Sequence, residues 1–245
     1  ALGLVQWMFN RDVKSIEEWL NKKFAKDATI RDANLAALRA GHAYGETAEL
    51  TAAVPHVGTV HAQFPPGEYR GVRGGEALSL GLAAAGELAD KPILFCSYPI
   101  TPASPILLGM LRELPRAGGV AIQGEDEIAS IGFCIGAAMA GARAMTATSG
   151  PGLSLYSESI GLAIMGEGPL VIVDVQRLGP ATGGATTVAQ GDVQFVRWGT
   201  SGGFPVIALA PSSVADCYRL TRRAFELAER FRCPAFVVSD KELAM

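Results

Sequence analysis

The fold of this chain is decided by a stretch that reads Pro92-Ile-Leu-Phe-Cys-Ser-Tyr-Pro-Ile-Thr-Pro-Ala-Ser-Pro105. Its apolar first half predicts a short buried strand over 92–96, and the residues at 104–114 have the apolar spacing of a helix. The prolines between them make the turn rigid, because proline fixes φ and removes a backbone donor. Thr101 and Ser104 stand at the helix entrance, where free N–H groups and the helix dipole favour an anion. An ordinary capped loop without a ligand explains the same residues.

The alternation of strand and helix continues along the rest of the chain. Several predicted strands are continuous apolar runs, such as Leu170-Val-Ile-Val173, which is typical of strands that are buried on both faces of a parallel sheet. The sequence therefore predicts an α/β fold with a doubly wound, mostly parallel sheet. Strands are predicted at 92–96, 119–123, 143–148, 169–174, 205–209 and 234–239, and helices at 74–89, 104–114, 126–140, 152–165 and 212–231.

The first part of the chain has a different pattern. Helices are predicted at 13–26 and 31–44, with Asp32 as the cap of the second, and an irregular connector with three prolines follows from Thr51 to Tyr69. We therefore expect a mainly helical segment over 1–72 and a separate domain over 73–245. The spacing of the histidines in this part fits no helical metal pair, so surface or linker positions are expected for His42, His56 and His61.

Composition narrows the function classes. The 245 residues carry a net charge of −3, which offers no basic surface for a nucleic acid. The sequence has no apolar run near the roughly 20 residues that span a bilayer and no signal-peptide pattern at its start, so we expect neither membrane association nor export. Its four cysteines form no C-x-x-C pair, so no metal site is expected, Cys96 and Cys134 are expected to be buried, and a reducing cytoplasm fits. Because the sequence starts at Ala1 and ends just after an apolar run, we expect a piece of a longer polypeptide.

Four unusual loops follow the predicted strands. Doubly wound sheets bind ligands outside the carboxyl ends of their strands, so these loops are expected to meet at one edge. Besides the turn around Thr101, they contain Glu125-Asp-Glu127, Thr148-Ser-Gly-Pro-Gly152 and Arg177 with the glycine-rich residues after it.

Each of these loops has a functional interpretation and a structural one. The apolar and small residues after Glu127 predict a helix that is buried nearly all round, which would desolvate the carboxylate, raise its pKa and suit it to share a proton with a ring nitrogen. The glycines at 150 and 152 let the backbone approach a ligand, although the lysine of a phosphate-binding loop is missing. Arg177 can grip a carboxylate with two donors. The same residues can be explained without a ligand. Glu127 would then belong to an ordinary acidic first turn of a helix, the glycines to a tight turn, and Arg177 to the surface.

Together the loops resemble the α subunit of 2-oxoacid:ferredoxin oxidoreductases. This resemblance covers 73–245 and implies the pyrimidine-binding type of thiamine diphosphate-binding fold. The motifs that carry it are Tyr98-Pro-Ile-Thr-Pro-Ala-Ser-Pro105, Glu125-Asp-Glu-Ile-Ala129, Ala144-Met-Thr-Ala-Thr-Ser-Gly-Pro-Gly152 and Val175-Gln-Arg-Leu-Gly-Pro-Ala-Thr-Gly183. Residues 1–72 resemble the tail of a γ domain with its linker, which some members carry in front of the α domain, through Leu4-Val-Gln-Trp-Met-Phe9 and Asn34-Leu-Ala-Ala-Leu-Arg-Ala-Gly41.

The resemblance implies an enzyme that oxidatively decarboxylates a 2-oxoacid with thiamine diphosphate, forms an acyl-CoA from coenzyme A and reduces ferredoxin. It implies that Glu127, rather than Glu125, hydrogen-bonds the aminopyrimidine ring of the cofactor. It also implies that Thr101 and Arg177 hold the substrate carboxylate. The cofactor site would be lined by Pro99, Ile100, Thr148, Ser149 and Gly150.

Two departures from the family pattern qualify this picture. Ala103 stands where the family usually has serine, although its neighbour Ser104 remains. The chain also has neither a Gly-Asp-Gly sequence followed by Asn nor a cysteine set for a cluster. A β subunit is therefore expected to bring the diphosphate site, Mg²⁺ and at least one [4Fe–4S] cluster.

The sequence leaves alternatives open for the substrate and for the activity. The γ-like segment favours 2-oxoglutarate or a broad-specificity enzyme. Other thiamine diphosphate oxidoreductases, acting on pyruvate, indolepyruvate or oxalate, and a catalytically idle scaffold domain are the alternatives. A plain nucleotide-binding domain is disfavoured because no G-x-G-x-x-G follows a strand.

Overall fold

The computed structural model describes residues 1–48 and 64–245. The chain divides into two compact units, Ala1–Glu68 and Tyr69–Met245. Most of the connector predicted from Thr51 to Tyr69 lies outside the described residues, as do His56 and His61.

The first unit contains three helices, α1 Leu2–Met8, α2 Lys14–Lys23 and α3 Ala28–Thr47. Helix α1 packs closely on α3, because a Cβ atom added to Gly3 would lie only 1.9 Å from the carbonyl oxygen of Leu38. Only a residue without a side chain permits this approach of two backbones. The seven-residue α1 was not predicted, since a helix this short has too little apolar periodicity to detect.

The predicted cap of α3 is wrong. The helix begins one turn earlier, where the extended backbone of Asp27 lets its carboxylate accept a hydrogen bond of 3.0 Å from the N–H of Ile30. Asp32 lies inside the helix and forms an exposed ion pair with Arg31 instead. Both aspartates satisfy the residue preference of a helix start, and the backbone conformation of Asp27 decides between them.

The second unit alternates strands and helices as predicted. Its strands are β1 Ile93–Ser97, β2 Val120–Gln123, β3 Arg143–Thr148, β4 Leu170–Gln176, β5 Ile207–Leu209 and β6 Ala235–Asp240. Its helices are α4 Gly74–Ala89, α5 Ser104–Glu113, α6 Glu127–Met139, α7 Gly150–Leu155, α8 Ser157–Met165, α9 Asp192–Trp198, α10 Val214–Phe231 and α11 Lys241–Ala244. The helix predicted at 152–165 is two helices, and the short α9 and α11 were not predicted.

The six strands form one sheet in the order β2-β1-β3-β4-β6-β5, and every neighbouring pair is parallel. This topology confirms the predicted doubly wound α/β fold. The strand order reverses between β1 and β3, so the loops after these strands diverge there and leave a crevice at the carboxyl edge. The loops after β1, β2, β3 and β4 therefore share one end of the sheet.

Both faces of the sheet are buried. One face carries Phe95, Met145 and Val173 in a core cluster that includes residues of α4, α5 and α10. The other face carries Cys96, Ile172 and Phe236 in a second cluster with residues of α6, α7 and α8. The continuous apolar strands are explained by this arrangement, because successive side chains of each strand enter different clusters. The predicted burial of Cys96 and Cys134 is confirmed.

An ion pair closes the amino-terminal end of the sheet. Arg143, the first residue of β3, donates from Nε and Nη2 to the two carboxylate oxygens of Glu229 at 2.9 and 2.8 Å. A third donor of this guanidinium contacts the carbonyl oxygen of Ala85. Lys91 Nζ lies 2.9 Å from the same Glu229 carboxylate. The network joins β3, α4 and α10 at the end of the sheet opposite the four loops.

Candidate active site

Tyr98 lies at the centre of the carboxyl edge. It directly follows β1 and is only 5% exposed. Its hydroxyl lies 2.7 Å from Oγ1 of Thr148, the last residue of β3. A Cβ atom added to Gly152 would lie 1.8 Å from this hydroxyl, so the glycine of the loop leaves the space that the tyrosine occupies. The close approach at this loop is therefore to a side chain of the protein itself.

Glu127 is the first residue of α6 and is half-buried. The preceding Asp126 caps the helix, accepting a hydrogen bond of 2.8 Å from the N–H of Ala129. With Asp126 committed to the cap, the carboxylate of Glu127 is not needed to start the helix. It lies close enough to the Tyr98 hydroxyl to raise the pKa of that tyrosine, after the larger effects of burial and of the Thr148 hydrogen bond.

The expectation that α6 is buried nearly all round is wrong for this chain. One side of the helix packs against β1 and β3, and the other carries apolar side chains that are at least half exposed. The exposed apolar side continues onto the two following helices. It consists of Ile128, Phe133 and Met139 on α6 and of Leu155, Leu162 and Met165 on α7 and α8, and we call it the α6–α8 face.

Arg177 follows β4 and is only 6% exposed. Its Nη1 donates to the carbonyl oxygen of Thr101 at 2.6 Å, and its Nη2 donates to that of Thr182 at 2.9 Å. The predicted pair of Thr101 and Arg177 is thus brought together, although the link runs through the backbone of Thr101. These two bonds hold the guanidinium between the turn after β1 and the loop after β4.

The turn after β1 starts α5 without a side-chain cap. The hydroxyl of Ser104 donates to the carbonyl oxygen of Ile100 at 3.0 Å, so it stabilises the turn. Ala103 is 2% exposed and belongs to the core cluster on the α4 and α5 side of the sheet. The alanine at this position therefore fits the core. The interpretation of Ser104 as a helix cap is wrong, because its hydroxyl bonds to the turn and α5 has no side-chain cap. Pro99 is exposed and Ile100 is half-buried at the start of this turn.

Several polar atoms at this edge are buried without a protein partner among the described residues, and two of them belong to Ser149 and Arg177. Among the described residues, neither Oγ of Ser149 nor Nε of Arg177 has a hydrogen-bond partner, and both residues are at most 6% exposed. An unsatisfied buried donor is costly, at about 1–3 kcal/mol. A polar ligand at the loop of Ser149 and Gly150 would satisfy such atoms, so the edge has the chemistry of a binding site.

Asp192 ties the two sides of this site together. Its Oδ2 accepts a hydrogen bond of 3.4 Å from the backbone N–H of Arg177. Its Oδ1 would lie 3.4 Å from a Cβ atom added to Gly150. Burial raises the pKa of this carboxyl group, and the N–H groups of Arg177 and Gly150 counteract that effect. Asp192 therefore positions the arginine relative to the cofactor-lining loop predicted from the sequence.

Asp174 is a second acid that sequence reasoning did not assign. It is fully buried on β4, level with Thr148 of β3, and its two carboxylate oxygens have no partner among the described residues. Burial, and to a smaller degree the charge of Asp192, raises its pKa well above the ordinary value. Burial of this carboxyl group therefore favours its protonated form, which has less need of a cationic partner than a carboxylate.

Asp192 and Asp174 could both have been noticed in the sequence. Asp192 is the one charged residue between Arg177 and Arg197, and Asp174 is the one charge in the apolar run that leads to Arg177. A single charge in a stretch without others is a reason to look for a partner nearby.

Two further properties bear on function. Within residues 1–48 and 64–245, no group of three or more His, Cys, Asp or Glu side chains is arranged to hold a metal ion. In the same ranges, no helix combines the length and the apolar character that crossing a membrane requires.

Comparison with known proteins places this arrangement in a family. The family pattern described as pyruvate flavodoxin/ferredoxin oxidoreductase, thiamine diphosphate-binding, matches residues 86–245. The 2-oxoglutarate oxidoreductase subunit KorA of Mycobacterium tuberculosis is 43% identical over 244 residues, which is 100% of this chain and 37% of that protein. The 2-oxoglutarate synthase subunit KorA of Methanocaldococcus jannaschii is 51% identical over 170 residues, which is 69% of this chain and 45% of that protein.

A solved structure is similar over the whole chain. It is the 2-oxoglutarate:ferredoxin oxidoreductase from Magnetococcus marinus with 2-oxoglutarate, coenzyme A and succinyl-CoA bound, at 39% identity and a TM-score of 0.80, and the match covers 100% of this chain and 41% of that one. The present chain spans less than half the length of each of these three relatives. On its sheet topology, its loops and these matches, the chain belongs to the thiamine diphosphate-binding pyruvate flavodoxin/ferredoxin oxidoreductase family.

Proposed function

We propose that this chain is part of the α subunit of an enzyme that oxidatively decarboxylates 2-oxoglutarate to an acyl-CoA and CO₂, and that reduces ferredoxin. The observation that carries the proposal is the convergence of Glu127, Tyr98, Thr148 and Arg177 at the carboxyl edge of the sheet. The names of the relatives suggest the substrate, because the two curated proteins and the solved structure compared above all carry 2-oxoglutarate in their names.

The residues at this edge fit thiamine diphosphate. The buried Oγ of Ser149 has no partner in the described chain, and Thr148, Ser149 and Gly150 form a loop at which a polar ligand can be held. Pro99 and Ile100 offer apolar contacts from the opposite loop. The half-buried carboxylate of Glu127 would accept a hydrogen bond from the aminopyrimidine ring. When bound, thiamine diphosphate supplies the stabilisation of negative charge that decarboxylation of a 2-oxoacid requires.

Arg177 and Thr101 would hold the carboxylate of the 2-oxoacid. A guanidinium has five N–H donors, and in Arg177 two are used by the carbonyl oxygens of Thr101 and Thr182. The Nε donor is among those that remain, and it is buried without a partner in the described chain. A carboxylate is the acceptor that matches this fork of donors, and a low exposure strengthens the charge interaction.

A partner subunit would complete the site. The α6–α8 face begins next to Glu127 and is too apolar to be left in water without cost. A β subunit that covers this face would bring the diphosphate site with Mg²⁺ and a [4Fe–4S] cluster to the cofactor, since the described residues offer no metal-ligand group. Thiamine diphosphate would then be shared between two subunits, and coenzyme A and ferredoxin would act on the assembly.

The remaining parts of the chain fit the same assignment. Residues 1–72 would be the tail of a γ-like domain and its linker, in front of a pyrimidine-binding domain over 73–245. The two compact units of the chain, Ala1–Glu68 and Tyr69–Met245, support a division close to this position. All four cysteines are free, which fits an enzyme of the reducing cytoplasm.

The substitution Glu127→Gln in the assembled enzyme tests the proposal. The amide keeps the shape of the side chain but loses its basicity, so acyl-CoA formation is expected to fall about 100-fold or more while the subunits still assemble. Glu125→Gln is the matched control, because this acid is exposed two residues earlier and is expected to be neutral. Normal turnover of Glu127→Gln would refute the assignment.

Two measurements separate this function from its rivals. Substrate profiling of the assembled enzyme with 2-oxoglutarate, pyruvate, indolepyruvate and oxalate identifies the 2-oxoacid, and we expect 2-oxoglutarate to be preferred. Titration of the assembly with thiamine diphosphate in the presence of Mg²⁺ separates an enzyme from a scaffold. The absence of saturable binding in that titration would leave only the scaffold interpretation.

A further inference from the structure

The last residues of β1 and β3 form a fork at the carboxyl edge of the sheet. The two strands pair with each other up to Phe95 and Met145, and beyond this point β1 continues beside β2 and β3 continues beside β4. We call residues 96–98 and 146–148 the β1–β3 fork. The strands separate here because the order of the sheet reverses between them, and such a switch point is where a doubly wound sheet binds its ligand.

Side chains join the two arms of the fork where the backbone pairing has ended. The hydroxyl of Ser97 donates to the carbonyl oxygen of Ala147 at 2.7 Å. The hydroxyl of Tyr98 lies 2.7 Å from Oγ1 of Thr148. Two consecutive residues of one arm are thus bonded to two consecutive residues of the other. Short hydrogen bonds in a buried setting fix the distance between the groups that they join, so these bonds fix the separation of the arms.

The thiol of Cys134 fills the base of the fork. It is fully buried, and its Sγ lies 3.3 Å from the carbonyl oxygen of Met145 and 3.7 Å from that of Cys96. A thiol is a weak donor, so these contacts add little energy, but they place helix α6 against both strands. Because Glu127 is the first residue of α6, the fork also bears on where this carboxylate stands relative to the two loops.

The hydroxyl of Ser97 can act on a ligand only through position. Ser97 is 1% exposed, and its single proton is donated to Ala147. Successive side chains of a strand point to opposite faces, so Ser97 points to the same face as Phe95, which packs in the cluster with α4, α5 and α10. The helix that carries Glu127 lies on the opposite face. A change at Ser97 therefore reaches the site through the fork and not through contact.

We propose that Ser97 is a positioning residue, whose hydroxyl fixes the width of the β1–β3 fork. Residues 99–101 and 148–150 extend from the two arms, so the bond holds them at the separation that thiamine diphosphate requires. Without this bond the fork adopts other widths, and the apparent Kd of the cofactor rises as the competent fraction falls. This inference rests on the proposed function, because it needs these two loops to hold the cofactor.

The chain contains a matched control for this serine. Ser79 on α4 is also 1% exposed, and its hydroxyl donates to a backbone carbonyl oxygen, that of Gly75, at 3.0 Å. Replacement of either serine by alanine removes one buried hydroxyl and one bond to the backbone. The two substitutions therefore have similar structural costs, but the bond of Ser79 stays within one helix, and only Ser97→Ala removes a link across the fork.

The experiment compares Ser97→Ala and Ser79→Ala in the complete enzyme with its partner subunit. The first readout is the Kd of thiamine diphosphate for the apo-enzyme in the presence of Mg²⁺, which needs no turnover. We expect Ser97→Ala to raise this Kd about three- to tenfold, the change in an equilibrium constant that corresponds to one buried hydrogen bond.

The second readout is the rate of acyl-CoA formation as thiamine diphosphate is added to the apo-enzyme. In Ser97→Ala the half-saturating concentration should rise by the same factor as the Kd, while the rate at saturation falls by less, because bound cofactor favours the competent width of the fork. A purely structural defect would instead lower the rate at saturation, through loss of folded enzyme, and leave the half-saturating concentration unchanged.

The outcomes separate the positioning role from the proposed function. The role is supported if Ser97→Ala raises the Kd while Ser79→Ala stays within about twofold of the parent enzyme. It is overturned if the two variants have the same Kd, because the hydroxyl of Ser97 is then only structural. If the parent enzyme itself binds no thiamine diphosphate, the proposed function fails first and the positioning role falls with it.

A second pair of variants applies if Ser97→Ala does not assemble. Thr148→Val keeps the volume of the side chain and removes the other link across the fork, the bond with Tyr98. Thr146→Val is its control, because Thr146 is also fully buried on β3 and its Oγ1 lies 2.9 Å from the hydroxyl of Tyr156, which is outside the fork. We expect the Kd of thiamine diphosphate to rise about three- to tenfold in Thr148→Val alone. Equal Kd values in these two variants would contradict the proposal.

Discussion

The ion pair at the amino-terminal end of the sheet permits a quantitative test of stability. The side chain of Arg143 is 9% exposed and that of Glu229 is 26% exposed. Loss of one partner from a buried pair costs about 3–5 kcal/mol, and the partial exposure of Glu229 reduces this. Glu229→Gln is therefore expected to lower the free energy of unfolding by about 2–3 kcal/mol near pH 7.

The pH dependence has a defined sign. Hydrogen bonding to Arg143, with help from Lys91, lowers the pKa of Glu229 from its ordinary 4.5 to about 2 in the folded chain. A carboxylate with a depressed pKa stabilises the fold above its unfolded pKa, and this contribution is lost as the pH falls from about 4.5 to about 2. The difference in stability between the parent and Glu229→Gln should therefore shrink across this range.

Urea unfolding followed by circular dichroism, at a series of pH values, measures both effects. Glu226→Gln is the control on the same helix, since Glu226 and Arg223 form an exposed pair with side chains that are 47% and 53% exposed. We expect the control to change stability by no more than about 0.5 kcal/mol at any pH. A Glu229→Gln variant that matches this control, or a difference that does not decrease with acid, would refute the argument.

Two further predictions concern the carboxyl edge. Gly152→Ala would place a Cβ atom 1.8 Å from the Tyr98 hydroxyl, so we expect a loss of about 2–4 kcal/mol in urea unfolding and a large loss of activity. Gly161→Ala is its control, since it lies in a helix with open space around it and should be neutral or stabilising; equal stability of the two variants would contradict the crowding argument. Arg177→Lys keeps the charge but loses the fork of donors that contacts Thr101, so steady-state kinetics should show KM for the 2-oxoacid raised about 10-fold or more. An unchanged KM would exclude Arg177 as the carboxylate-binding residue.

The helices and strands that could be predicted are those whose formation depends on residues close together in the sequence. The strands β3 and β4 were predicted within two residues of their observed ends, because a run of apolar residues bounded by turn residues reports a buried strand directly. The start of α6 was predicted within one residue because acidic residues precede its apolar sequence. Helix α9 was missed, since its seven residues carry too short a pattern.

The site was predicted in its location but not in its contacts. The sequence places Glu127 and Arg177 after two different strands, and a parallel sheet brings such positions to one edge. The contact of Tyr98 with Thr148 joins residues 50 positions apart, and Asp192 reaches back 15 positions to the backbone of Arg177. No spacing rule relates these pairs, because the register and twist of the sheet decide which side chains meet.

The α/β class, the parallel sheet and the four loops that could carry chemistry can be predicted from the amino-acid sequence, because hydrophobic periodicity, proline turns and glycine act over a few residues. Which atoms of those loops are buried and which have hydrogen-bond partners depends on the packing of the whole domain. Burial of Asp174, the orphaned Nε of Arg177 and the exposure of the α6–α8 face depend on which surfaces pack together. These properties arise from desolvation and from distances between remote residues, which a linear pattern does not contain.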